Sequence, residues 1–230
     1  MIENLLKNIK DDHSVSVKEG RLLSKLAKEC DGVIVEIGSW KGYSTIRLAK
    51  GSQEGNCVKV YAIDPHTGSD FHKQMYGKIN TFDKFLENIT LAGVRDIVIP
   101  LKMKSEIAVK NWDTPIALLW IDGDHKIADK DLDMWYQYVK YGGIVALHDT
   151  TTWEIPKKVA MSIYKSGNYT DIKRVMSITY ARKVNILPRI NKIENLYAFY
   201  KRYIDQFFIP YYIKCLILAD RVIRKVRGVK

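Results

Sequence analysis

The sequence predicts a doubly wound three-layer α/β/α sandwich on a mostly parallel seven-stranded sheet, with basic amphipathic helices after it. Three observations predict it. Short apolar runs alternate with helical patterns five times between residues 32 and 167. Those runs are apolar at nearly every position, as strands covered on both faces are. Two further strand-like runs, "DIKRVMS" and "ITYARKV", follow near 171–184.

The elements follow in order. "SVSVKEGRLLSKLAKEC" (14–30) reads as a helix, with Ser16 and Glu19 as a capping box and Leu22, Leu23, Leu26 and Ala27 on one face. "GVIVEIG" (32–38) is a strand and 42–50 a helix; "VKVYAID" (58–64) is a strand and 79–93 a helix. "DIVIPLKM" (96–103) precedes a short helix at 106–112, and "PIALLWID" (115–122) precedes a helix over 126–141. "GGIVALHD" (142–149) is the fifth strand, before a helix at 154–167. A sheet of this class binds ligands beyond the carboxyl ends of its strands, at the point where strand order reverses. Gly38, Asp64, Asp122 and Asp149 end the first, second, fourth and fifth strands and should meet at that edge.

The chain has 230 residues, which divide into a domain over 1–187 and a tail over 188–230. Cys30, Cys57 and Cys215 are odd in number and widely spaced, so they form neither a disulfide framework nor a zinc pattern. A reducing, cytoplasmic setting is expected. The start has no apolar stretch of the kind a signal peptide needs. No apolar run is long enough for a transmembrane helix.

"VEIGSWKGYST" (35–45) places Gly38 and Gly42 between a strand and a helix, where glycine lets the backbone turn and approach a ligand. A dinucleotide loop needs a further glycine where Trp40 stands, to admit a pyrophosphate. Glu36 also sets a carboxylate at the strand end, a poor neighbour for phosphate and a good one for an ammonium group. S-adenosylmethionine, a cation without phosphate, suits the loop better than NAD. Asp64, 26 residues after Gly38, is placed to accept from ribose hydroxyls.

Five aspartates and a histidine crowd "IDGDHKIADKDLD" (121–133). Asp122 and Asp149 end strands expected to be neighbours, and two converging carboxylates repel unless a cation sits between them. Mg²⁺ takes oxygen ligands and keeps waters for a substrate to displace. Asp122 and Asp149 are therefore the expected metal ligands, with His148 or Thr150 as a third. His125 lies at the same edge and can take a proton from an acceptor hydroxyl. Asp124 is expected to cap the next helix. Asp129 and Asp133 fall opposite Leu132, Trp135 and Val139, and the acids after His125 are together expected to face water. His13, His66 and His72 have no assigned role.

"VEIGSWKGYSTIRLA", "YAIDP", "LLWIDGDHKIADKDLDMW" and "GGIVALHD" together resemble the class I S-adenosylmethionine-dependent methyltransferases. The likeness covers about 15–185. It is strongest to the branch of metal-dependent sugar O-methyltransferases and cephalosporin-hydroxylase-like proteins. The resemblance implies a Rossmann-like methyltransferase fold. It implies Glu36, Gly38, Ser39 and Gly42 around the methionine part of the cofactor, Asp64 at the ribose and Ser105 near the adenine. Asp122 and Asp149 match metal ligands, Asp122 also bordering the cofactor, and His125 matches the general base. His148 stands where the family has an acid, which leaves a softer metal or a metal-free base mechanism open beside Mg²⁺.

The last 42 residues carry ten Lys or Arg against three acids, so most of the net charge of +11 sits there. In 207–228, Tyr212, Cys215, Leu216, Ala219, Val222, Ile223 and Val226 form an apolar stripe flanked by Lys214, Arg221, Arg224, Lys225 and Arg227. This pattern fits a helix lying on the cytoplasmic face of a membrane. Packing on the domain or on a second copy, as a homo-oligomer, is the competing reading. Nucleic acid is disfavoured, because the charge is joined to a strong apolar face. The expected activity is O-methyl transfer to a hydroxyl or carboxyl of a sugar or lipid-linked glycan. The alternatives are an NAD-type dehydrogenase and a non-catalytic membrane-associated scaffold.

Overall fold

The computed structural model describes residues 2–9, 15–69, 73–75, 77–185, 193, 195–197 and 200. The tail read as a membrane helix, and the boundary placed at 187, lie outside them.

Seven strands form one sheet: β1 (Val33–Ile37), β2 (Val60–Ile63), β3 (Val98–Leu101), β4 (Ile116–Ile121), β5 (Val139–Leu147), β6 (Tyr169–Val175) and β7 (Ile178–Lys183). Their spatial order is β3-β2-β1-β4-β5-β7-β6. The pairs from β3 to β5 are parallel, and β7 is antiparallel to both β5 and β6. The order reverses between β1 and β4, which sets the switch point beside Gly38 and Asp122.

Helices among the described residues include α1 (Ile2–Ile9), α2 (Val17–Lys28), α3 (Tyr43–Gln53), α4 (Phe82–Leu91), α5 (Ser105–Ala108), α6 (Ala128–Trp135) and α7 (Glu154–Lys165). Because strand side chains alternate, each strand supplies two cores. Ile34, Leu118, Trp120 and Ala146 pack with α2, α3 and α4 on one face. Val35, Ile37, Leu119, Ile121 and Val145 pack with α6 and α7 on the other. Each fully buried Ile or Leu contributes about 1.5–3 kcal/mol, so both layers hold the strand ends firmly.

The capping box forms as read: Glu19 N donates to Ser16 Oγ at 3.3 Å and Ser16 N to Glu19 Oε2 at 2.9 Å. Two boundaries differ from the sequence reading. The helix expected over 126–141 is α6 between two 3₁₀ turns, and β5 begins already at Val139. Lys183 explains the early strand, since its Nζ donates to Tyr136 O at 2.9 Å and Val139 O at 2.7 Å, pinning the junction from β7. The helix expected over 106–112 is α5 followed by a 3₁₀ turn, Val109–Asn111. Helix α1, whose Leu6 and Ile9 enter the first core, had no expectation.

Candidate active site

The glycine loop is shaped by what lies beneath it. Gly38 has φ +91°, and a Cβ there would stand 2.3 Å from the carbonyl oxygen of Asp122. Only glycine lets β1 and β4 end this close together. Gly42 also has φ +91° and precedes α3. Trp40 takes positive φ as well, 47°. Its N–H donates to Asp64 Oδ2 at 2.8 Å, and His66 N–H to Asp64 Oδ1 at 2.6 Å. Asp64 thus joins the loops after β1 and β2, bringing the first two predicted strand ends together.

Glu36 is wholly buried rather than turned to an open site. Its Oε1 and Oε2 accept from Ser44 Oγ and Thr45 Oγ1, each at 2.5 Å, at the start of α3. Burial raises its pKa to about 8 although both hydroxyls oppose the shift. Ser39 is buried, and its Oγ has no hydrogen-bond partner among the described residues. An orphan hydroxyl in a loop that glycine brings close to the sheet fits a polar ligand at this place, as the methionine part of S-adenosylmethionine would be.

Ser105 begins α5, and its Oγ donates to Asp131 Oδ1. Asp131 therefore corrects the expectation that the acids after His125 face water: it is 1% exposed, and burial raises its pKa to about 6. Its neighbours along the helix, Ala128, Leu132 and Trp135, are the buried face of α6. Asp129 and Asp133 are exposed as read. Asp124 caps the turn His125–Ile127, accepting from Lys126 N at 3.0 Å.

Strands β4 and β5 run parallel with Ile121 opposite Leu147, so Asp122 and the pair His148–Asp149 emerge side by side. One ligand atom from each of Asp122, His148 and Asp149 lies within 4.8 Å of the others. His148 Nδ1 is 2.9 Å from Asp122 Oδ1 and 3.4 Å from Asp149 Oδ2. Asp149 has φ +54°, an uncommon conformation for a residue with a side chain. Two oxygens and a nitrogen converging on one point fit a divalent cation.

His125 reaches the same edge, its Nε2 2.9 Å from Asp149 Oδ2. The two imidazoles outweigh the effect of burial and hold the Asp149 carboxyl well below its ordinary pKa. For His148, burial alone would lower the pKa. Asp122, Asp149 and Glu19 around it win, and it lies far above its ordinary value.

Two neighbours of the site had no functional expectation. Trp153, 47% exposed, stacks on His125 with ring centroids 4.7 Å apart and planes 23° from parallel. Glu19 lies behind His148, its Oε2 3.7 Å from Nε2. Nothing local in the sequence ties a capping-box glutamate to a histidine on the fifth strand; only the fold does.

A family model described as a methyltransferase domain matches residues 35–150. Solved structures are similar over most of the chain. The O-methyltransferase NovP has TM-score 0.64 and 18% identity, covering 76% of this chain and 84% of that one. An O-methyltransferase from Bacillus cereus in complex with SAH has TM-score 0.58 and 18% identity, covering 79% and 90%. TomG from Streptomyces achromogenes, an O-methyltransferase involved in tomaymycin synthesis and solved with SAM, has TM-score 0.59 and 14% identity, covering 79% and 90%. At these identities the shared feature is the fold. Among the described residues, no helix is long and apolar enough to cross a membrane.

Proposed function

This chain belongs to the methyltransferase-domain family, and from that premise we propose that it moves a methyl group from S-adenosylmethionine to an oxygen of a sugar or lipid-linked glycan. The observation that carries the reading is the meeting of Asp122, His148, Asp149 and His125 at one sheet edge, beside the glycine loop.

The chain's own residues divide the work. Gly38, Ser39 and Gly42 shape the donor site, and Asp64 braces it with a carboxylate that retains lone pairs for ribose hydroxyls. Holding donor and acceptor at near-attack distance is the larger part of catalysis in such a transfer. His125 takes the proton of the acceptor hydroxyl, and Asp149 and Trp153 fix its ring. Asp122, Asp149 and His148 would hold a divalent cation, Mg²⁺ by the resemblance. Such an ion, when bound, lowers the pKa of a coordinated hydroxyl.

The sugar or glycan acceptor follows from the resemblance of "IDGDH" and "GGIVALHD" to the sugar-modifying branch. The membrane setting follows from the basic apolar stripe at 207–228. Labelled S-adenosylmethionine incubated with sugar and lipid-linked glycan acceptors, with Mg²⁺ or with chelator, tests the reading. Binding of NAD in place of S-adenosylmethionine would overturn it. A chain ending at residue 206 that still partitions fully onto anionic vesicles would remove the membrane role of the tail.

A further inference from the structure

Glu19 does more than close a capping box. Its side chain is buried and joins three parts of the chain. Its Oε2 accepts from Ser16 N at the start of α2. Its Oε1 accepts from Ser177 N at 2.9 Å and Ser177 Oγ at 2.7 Å, at the turn between β6 and β7. Ser177 in turn accepts from Thr150 N at 3.0 Å and Thr150 Oγ1 at 2.7 Å, which anchors the loop that follows Asp149. The third part is His148, whose Nε2 lies 3.7 Å from Glu19 Oε2.

The imidazole of His148 therefore sits between two acidic sides. Nε2 faces Glu19, and Nδ1 faces Asp122 and Asp149. The ring also lies against the buried indole of Trp120, centroids 5.7 Å apart. The two nitrogens are not equivalent. Nδ1 is itself 2.9 Å from Asp122 Oδ1, so without a cation both ring nitrogens face carboxylates and each carries a hydrogen. A cation held by Asp122 and Asp149 would take the place of the hydrogen on Nδ1, while the Glu19 carboxylate keeps the one on Nε2. A histidine that holds a metal commonly gives its other N–H to a carboxylate in this way, and losing that partner weakens binding.

We propose that Glu19 is a positioning residue for the cation site, holding the hydrogen of His148 on Nε2 so that Nδ1 is the ligating nitrogen beside Asp122 and Asp149. The proposal rests on the metal-assisted reading above. It assigns a second task to a residue that local sequence explains fully as a helix cap. It also makes the start of α2 part of the site, through one carboxylate shared by the cap, the β6–β7 turn and the histidine.

The test is a double-mutant cycle in the full chain, with Mn²⁺ as probe, followed by electron paramagnetic resonance and calorimetry. Glu19→Gln, His148→Ala and the double variant are titrated with Mn²⁺ and, separately, with S-adenosylhomocysteine. The expected result is an Mn²⁺ affinity about 10–100-fold lower for Glu19→Gln, with S-adenosylhomocysteine affinity kept. In the His148→Ala background, Glu19→Gln should cost nothing further, because its effect passes through that ring. Ser177→Ala, which removes one bond to Glu19 and leaves His148 alone, controls for strain and should retain Mn²⁺ affinity.

Equal Mn²⁺ affinity in wild type and Glu19→Gln would overturn the proposal, as would additive losses in the cycle. If Glu19→Gln does not fold, Glu19→Asp keeps a carboxylate at the cap but, one methylene shorter, draws it away from His148. Unchanged Mn²⁺ affinity there would likewise overturn it. A wild-type chain that binds S-adenosylhomocysteine but no Mn²⁺ overturns the proposal and leaves methyl transfer standing. One that binds Mn²⁺ but no S-adenosylhomocysteine overturns methyl transfer and leaves Glu19 to be judged by the cycle.

Discussion

His125 Nε2 lies 2.9 Å from Asp149 Oδ2, so the residue read as base is tied to a residue read as metal ligand. One carboxylate thus serves two neighbours: it orients the imidazole and contributes an oxygen to the convergence with Asp122 and His148. In the proposed reaction, replacing His125 with Ala removes the proton acceptor and leaves the glycine loop intact. Turnover should fall by about 10²–10⁴-fold, with S-adenosylhomocysteine affinity near wild type by calorimetry. Loss of that affinity as well would mean that His125 belongs to the donor site.

The indole of Trp153 holds the other side of the same ring. An aromatic pair of this kind is worth about 0.5–1.5 kcal/mol beyond its area. Trp153→Ala should therefore lower kcat by up to about tenfold without moving S-adenosylhomocysteine affinity, and Trp153→Phe should keep most of the rate. If Trp153→Ala raises KM alone, the side chain acts on the acceptor rather than on His125.

Much of this was legible in the sequence, and the omissions have physical causes. Strand order and the shared edge follow from the alternation of apolar runs and helices. Asp122, His125, His148 and Asp149 could be placed because each sits at or just past a strand end, where the fold fixes position. The structure brings these four together. Asp131 was misplaced through attention to charge over spacing: it lies three residues after Ala128 and four before Trp135, on the buried face of α6. Glu36 ends a strand as read, yet its carboxylate is held by Ser44 and Thr45 under the loop. Glu19 could not be found locally, because its partner Ser177 is 158 residues away.

The closeness of Gly38 to Asp122 makes a sharp prediction for the loop. An alanine at position 38 would need φ near +91° and would place Cβ 2.3 Å from the Asp122 carbonyl oxygen. Backbone must move at the end of β4, beside Asp122. Gly38→Ala should lose at least about 2 kcal/mol of stability and most S-adenosylhomocysteine binding. Gly42→Ala meets side chains rather than backbone, the ring of Phe85 at 3.2 Å and Ile89 Cγ2 at 3.5 Å, which can shift by the little required. Its cost should be nearer the roughly 1 kcal/mol of a left-handed residue. Urea denaturation of both variants measures the contrast, and equal losses would show that the φ strain outweighs the clash.

Glu36 gives the fold a pH dependence of defined sign. Burial raises its pKa to about 8 from the ordinary 4.5. The folded state thus binds this proton more tightly than the unfolded chain does. The stability contributed by Glu36 is fully present below about pH 4.5 and is lost as pH rises through about 8. Glu36→Gln removes the titration, and its amide can still bond Ser44 and Thr45, whose hydroxyls can each turn to donate or accept. The variant should therefore gain on wild type as pH climbs from about 5 to about 8.5, by a few kcal/mol as an order of magnitude. Urea denaturation across that range, with no cofactor added, reads the difference directly. A constant difference would mean that the two hydroxyls keep the carboxylate ionised throughout, and that burial does not govern its charge.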